Sequence, residues 1–140
     1  MAPEPAMSTL THRRAAFLRR MRTAVLATNR AGAPQMTPNW YLWDGKNFLI
    51  STPAWTVKVR NIRRDARVSL CIADDESGDY VTVYGVATVV ELPDAREPTL
   101  ELLRKYREER DVLPHWERIN RDGDRVVILI KPERLAWRYD

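Results

Sequence analysis

A chain of 140 residues with a net charge of +4, 44% hydrophobic and 30% charged residues, is sized for one globular domain around one core. Its single cysteine, Cys71, excludes an internal disulfide, and no apolar run approaches the roughly 20 residues of a membrane helix. Arginine carries most of the positive charge and favours acidic partners, but the basic residues are mixed with acidic ones rather than striped with aromatics, which disfavours nucleic acid. The Met-Ala-Pro-Glu-Pro-Ala start has no apolar signal core, so a cytoplasmic location is expected.

Residues 1–8, rich in Pro and Ala, are expected to form a flexible tail before a single domain over 9–140. Thr9 or Thr11 then caps a helix to about Met21, with Leu10, Phe17, Leu18 and Met21 as its apolar positions. Thr23 to Thr28 predicts a short strand, and Asn29-Arg-Ala-Gly32 a turn. The partner strand, Pro34 to Trp43, contains Pro38, which removes a ladder donor and predicts an edge, a bulge or a widened site. Asp44-Gly45 predicts a two-residue hairpin turn into a strand over Asn47 to Thr52.

The stretch Trp55 to Leu70 begins with a short helix. Thr56 stands where its hydroxyl can cap, Val59 and Ile62 share one face, and Lys58, Arg60, Arg63 and Arg64 cover the rest. First-turn N–H groups and the Lys58 ammonium together make an anion site, although the ordinary use of basic residues on a helix is a solvated face. Arg67 to Ala73 predicts a strand in which Cys71 is a buried thiol, followed by the acidic loop Asp74 to Asp79. Tyr80 to Glu91 is the longest predicted strand, with Gly85 marking a bulge or bend. Pro93 to about Arg110 and Pro114 to Asn120 predict helices, and Arg125 to Lys131 and Leu135 to Tyr139 the last two strands. The sum is a mainly β (α+β) protein, an antiparallel barrel of six to seven strands with peripheral helices.

Side-chain chemistry is sparse. His12 and His115 have no nucleophile motif around them, Cys and His show no metal spacing, and phosphate-cradling glycine patterns are missing. Asp74-Asp75-Glu76 is most simply a solvated loop. No catalytic side chain and no metal is implied, which suits an organic cofactor that the protein only positions.

Several segments carry a resemblance: Val25-Leu-Ala-Thr28, Gly32-Ala-Pro-Gln35, a strand ending Trp-Asp-Gly45, Phe48-Leu-Ile-Ser-Thr52, and above all Lys58-Val-Arg-Asn-Ile-Arg-Arg-Asp-Ala-Arg-Val-Ser69. In their order and spacing, from about Thr23 to Trp137, they resemble the pyridoxamine 5'-phosphate oxidase-like FMN-binding split-barrel superfamily, and more closely its deazaflavin (coenzyme F-420)-dependent oxidoreductase branch. The resemblance implies a split barrel that forms a homodimer with each cofactor in a groove between subunits. It implies that Lys58 binds the cofactor phosphate with Thr56 beside it, and it places Arg60 and Asn61 in the same block. Ser51 and Thr52 match the ring-contacting strand, Met36, Thr37, Pro38, Asn39 and Trp40 the strand beside it, and Tyr80 an aromatic contributed after the acidic loop.

The activity it implies is hydride transfer between the reduced cofactor and an unsaturated or quinone-like small-molecule substrate, with the proton from water, Tyr41 or Tyr80. Relatives that bind the deazaflavin often have Arg where Thr56 stands, and those that bind FMN carry Arg and Lys in the strand that here reads Met36-Thr-Pro-Asn-Trp-Tyr41. Each charge-assisted hydrogen bond lost is worth roughly 1.5–3 kcal/mol, so the missing pair favours F-420, with FMN as runner-up. The alternatives are a non-catalytic flavin- or deazaflavin-binding protein of the same fold and a basic barrel that binds single-stranded nucleic acid.

Overall fold

The computed structural model describes residues 10–138; the expected tail over 1–8 lies outside the described residues. Four helices and seven strands follow in the order α1 (His12–Arg20), β1 (Ala24–Thr28), β2 (Gln35–Asn39), β3 (Leu42–Trp43), β4 (Phe48–Pro53), α2 (Val57–Arg64), β5 (Arg67–Ala73), β6 (Tyr80–Val90), α3 (Arg96–Tyr106), α4 (Glu109–Ile119) and β7 (Arg125–Arg138). All seven strands join one antiparallel sheet, in the order β2-β1-β5-β6-β7-β4-β3, which curls into the expected split barrel.

The stretch Pro34 to Trp43 is not one strand. Its halves, β2 and β3, lie at opposite edges of the sheet, and Trp40-Tyr41 carries the chain between them. The reason lies in Tyr41, whose ring is fully buried. Its phenol donates to the Leu18 carbonyl at 2.6 Å, and its own N–H donates to the Tyr106 hydroxyl at 3.0 Å, so these groups are withdrawn from any ladder. Pro38 does occupy an edge strand, the position in a sheet where a missing N–H is tolerated.

Local chemistry explains the next features. Thr11 caps α1 by accepting from the Arg14 N–H. The β3–β4 turn is centred on Gly45-Lys46, one residue later than Asp44-Gly45 predicts. Gly45 takes φ +97, and the Asp44 carboxylate accepts from the Lys46 and Asn47 N–H groups at 2.9 and 2.7 Å. Strand β5 has the predicted bounds, but Cys71 is exposed rather than buried, because alternation sends Val68, Leu70 and Ile72 inward and Cys71 out.

The longest strand is β7, with 14 residues against 11 in β6; the two predicted final strands are one. Its register against β6 shifts between Tyr84 and Gly85, and the extra residue is Glu133, on β7, opposite the glycine-containing strand. Gly85 still has a reason to be glycine, since a Cβ there would collide with the Lys131 carbonyl. Beyond the bulge the inward positions of β7 change from Val126, Ile128 and Ile130 to Leu135 and Trp137.

Helices α3 and α4 break at Arg107-Glu108, not before Pro114, which sits inside α4. Buried Val112 and Trp116 flank that proline and pin both of its neighbouring turns to α3, so packing overrides its cost. Phe17 and Leu18 of α1 and Val59 and Ile62 of α2 join the barrel core. Leu49, Val127 and Ala95 form a second layer outside β4 and β7, and Trp40 packs into the third cluster between α3 and α4. No described helix is long and apolar enough to cross a membrane.

Candidate functional site

The site is built where β4 ends, α2 begins and β7 starts. The β4–β7 register places Ser51 opposite Val127, Thr52 opposite Val126 and Pro53 opposite Arg125, and the Ala54 N–H donates to the Asp124 carbonyl at 2.8 Å. The chain then turns directly into α2, whose first helical bond is Arg60 N–H to the Thr56 carbonyl at 3.2 Å. The N–H groups of Val57, Lys58 and Val59 precede that bond and have no acceptor within the helix.

Thr56 holds the cap position without capping. Its hydroxyl donates to the Pro53 carbonyl at 3.1 Å and accepts from the Thr52 hydroxyl at 3.4 Å, so its proton is unavailable to an anion. Lys58, in the first turn, is half-buried, and its pKa is lowered by burial first and by the nearby Arg125 charge second. It is not the solvated lysine of an ordinary basic helix face.

Arg125 is the residue that sequence reasoning missed. Its Nε donates to the Ile119 carbonyl at 3.2 Å, and Nη1 reaches Ser51 Oγ at 3.5 Å. Burial lowers its pKa, opposed only by neighbouring Asp124. Neither Lys58 nor Arg125 forms an ion pair among the described residues, whereas Arg63, Arg96, Arg104 and Arg110 each face a glutamate within 3.1 Å. The sole sequence signal was an arginine ahead of an apolar strand, and only the register with β4 gives it meaning.

The structure therefore gathers Ser51, Thr52, Thr56 and Lys58 at one corner and adds Arg125. Other expected residues lie elsewhere. Trp40 stacks on Tyr106 with ring centroids 4.3 Å apart and an interplanar angle of 2°, which ties it to the α3–α4 layer. Asn61 is buried and donates to Thr28 Oγ1 at 3.0 Å while accepting from Arg64, which spends its amide on tying α2 to β1. Arg60 is exposed and reaches the Trp55 carbonyl. On β2, Met36 and Pro38 face outward, Met36 being 63% exposed, while the Asn39 amide folds back on Thr37.

Tyr80 starts β6, ten residues from the Val90–Val127 pair, a separation of about 30 Å at strand rise. Its neighbour there is the Arg138 guanidinium. Tyr41 is unsuited to proton donation, since burial raises its pKa well above the phenol value and its proton is committed to Leu18.

A split antiparallel barrel of this kind, with helices packed on it, is the fold of a class of proteins that bind flavin-type cofactors. The chain belongs to the pyridoxamine 5'-phosphate oxidase family, whose sequence profile matches residues 10–138. Among solved structures it is similar to an F420 reductase, at 25% identity over 96% of this chain and 98% of that one with a TM-score of 0.69. It is also similar to a conserved hypothetical protein from Mycobacterium tuberculosis, at 28% identity over 97% and 89% of the two chains with a TM-score of 0.77. The general stress protein 26 of Bacillus anthracis shares the fold at 21% identity over 88% of each chain, with a TM-score of 0.67. No curated protein matches the chain.

Proposed function

We propose that the protein is a deazaflavin (coenzyme F-420)-dependent oxidoreductase acting on an unsaturated or quinone-like small molecule. The observation that carries this reading is the corner itself, where half-buried Lys58 in the first turn of α2 and Arg125, paired with Pro53 across the sheet, form no ion pair among the described residues, with Asp124 the neighbouring carboxylate, and lie near open first-turn N–H groups. Like charges so placed are costly until an anion joins them, and a cofactor phosphate is the anion the family uses. The 25% identity to an F420 reductase, and the lack of any cation in β2 where an FMN phosphate would need one, favour the deazaflavin over FMN.

Lys58 would hold the phosphate, and Ser51 would lie on the strand beside the ring. When bound, the cofactor supplies hydride transfer. The chain contributes position and charge, and water serves as the proton source, because Tyr41 is locked. A homodimer is part of the proposal. The outward row Pro38, Val25, Cys71, Thr82 and Ala136, aligned by cross-strand register, offers the open apolar face such an assembly would bury.

Titration with F-420 and with FMN, followed by desalting and absorbance spectra, tests the cofactor. Lys58→Ala is expected to weaken F-420 binding by roughly 1.5–3 kcal/mol, about 10- to 150-fold, with the fold intact. Arg63→Ala and Arg64→Ala are the controls, since those guanidiniums pair with Glu91 and Asn61. Equal or tighter FMN binding would reassign the cofactor. Turnover of reduced F-420 with a panel of quinones and enones separates an enzyme from a carrier.

A further inference from the structure

Resting on the phosphate-site reading above, we infer that Arg125 is the second cation of that site and that Lys58 and Arg125 together select a cofactor side chain carrying two adjacent negative charges. The guanidinium has five N–H donors, and two are used, on the Ile119 carbonyl and Ser51 Oγ. Its main chain is fixed as well, the Arg125 N–H donating to Asn120 Oδ1 at 3.2 Å. Ser51 is itself held. The buried Thr99 hydroxyl donates to the Ala95 carbonyl at 2.7 Å, so at the 3.4 Å contact between Thr99 and Ser51 it is Ser51 that donates. That leaves the Ser51 lone pairs facing Arg125.

Helix α3 thus steadies a guanidinium on β7 through two hydroxyls, and the three remaining N–H donors are preorganised and form no ion pair among the described residues, the neighbouring Asp124 acting on them only through its charge. Arginines elsewhere on this surface that face glutamates need no ligand. A single negative charge would answer only one of the two cations, whereas a doubly charged group answers both. Two sources share this chemistry: a terminal phosphate monoester, as in FMN, and a phosphodiester followed closely by a carboxylate, as in F-420.

The test uses two matched pairs of probes, FMN with riboflavin and F-420 with its phosphate-free deazaflavin core, titrated by fluorescence against the full chain and its variants. Arg125→Gln is expected to lower affinity for the charged member of the pair that binds by about 10- to 150-fold and to leave the uncharged member unchanged; Arg125→Lys recovers part of the loss. The pair that responds identifies the source. Arg125→Gln combined with Lys58→Ala is expected to lose less than the product of the single effects, because both grip one ligand end.

Thr99→Val releases Ser51 without altering charge, and it is expected to cost about 2- to 10-fold for the charged probe alone, which keeps the test open if Arg125→Gln does not fold. Equal losses for charged and uncharged probes would make Arg125 structural and overturn the inference. An unchanged Arg125→Gln beside a weakened Lys58→Ala would overturn it too, leaving the phosphate reading intact. If neither variant discriminates between charged and uncharged probes, the phosphate reading itself fails.

Discussion

The outer face of the sheet is finished in two different ways. Over β4 and the first half of β7, Leu49, Val127 and Leu129 lie beneath Ala95 and Leu92, with α3 and α4 packed above around Trp116, Leu103 and Tyr106. Over β1, β5 and the second half of β7, the same alternation leaves Val25, Cys71, Thr82 and Ala136 without such a layer, and Cys71 is exposed. One pleated sheet serves both regions, divided where β7 bulges at Glu133 opposite Gly85. Alternation makes a strand two-faced, but what covers the second face depends on which elements the topology brings there.

The largest effect is expected on the covered side. Trp116→Ala empties the centre of the α3–α4 cluster and is expected to destabilise the protein by about 3–5 kcal/mol in chemical denaturation. A loss near zero would mean that the helical layer is not coupled to the barrel.

At the boundary, Gly85→Ala drives a methyl group into the Lys131 carbonyl and is expected to cost about 1–3 kcal/mol, the range for overpacking. A neutral result would place the bend elsewhere.

Beneath the covering layer, Lys105 lies 3.8 Å from the Tyr41 ring centroid and donates to the Tyr41 carbonyl at 3.2 Å. Burial first, and the Arg22 charge second, bring its pKa down to about 8 from 10.5. Between those values the unfolded chain binds more protons than the folded one, so stability is expected to rise as pH rises from about 8 toward 10 and to fall back as pH drops through 8. Tyr41 and Tyr106, both raised above 10.0, act in the opposite direction only from about pH 10 upward, where the unfolded phenols lose their protons while the folded ones keep theirs. Denaturation midpoints across pH 7 to 10 are expected to flatten in Lys105→Met. A slope that persists in the variant would assign the titration to another group.

The smallest effect on the fold is expected on the open side. Thr82→Lys sits in the middle of the uncovered row and is expected to change protomer stability by no more than about 0.5 kcal/mol. If that row is the homodimer face, light scattering will report a monomer for this variant and a dimer for the parent. A parent that is already monomeric while binding cofactor tightly would move the cofactor groove off the subunit boundary.

Much of this was legible from residues alone where the governing contact is short in sequence. Thr11 capping Arg14, the bounds of β5, Pro38 on an edge and Val59 with Ile62 facing the core all follow from periodicity or from a bond spanning a few positions. The candidate site was half legible. Lys58 in the first turn of α2 could be read from the motif, but Thr56 could not be known to spend its proton on Pro53, nor Asn61 its amide on Thr28, because those acceptors are fixed by how the chain packs.

By itself the sequence determined a mainly β fold, its basic helix and a family whose profile spans residues 10–138, because strand alternation, turn residues and motif order are local properties. Tertiary structure decided that Pro34 to Trp43 divides between opposite sheet edges, that Trp40 belongs to the helical layer, and that Arg125 stands opposite Pro53 and against Ser51, at the turn that leads into α2. Each of these is a long-range pairing, with Tyr41 answering Leu18 and Tyr106, and Pro53 answering Arg125. Local patterning constrains which face a residue presents, and only the assembled split barrel determines what meets it there.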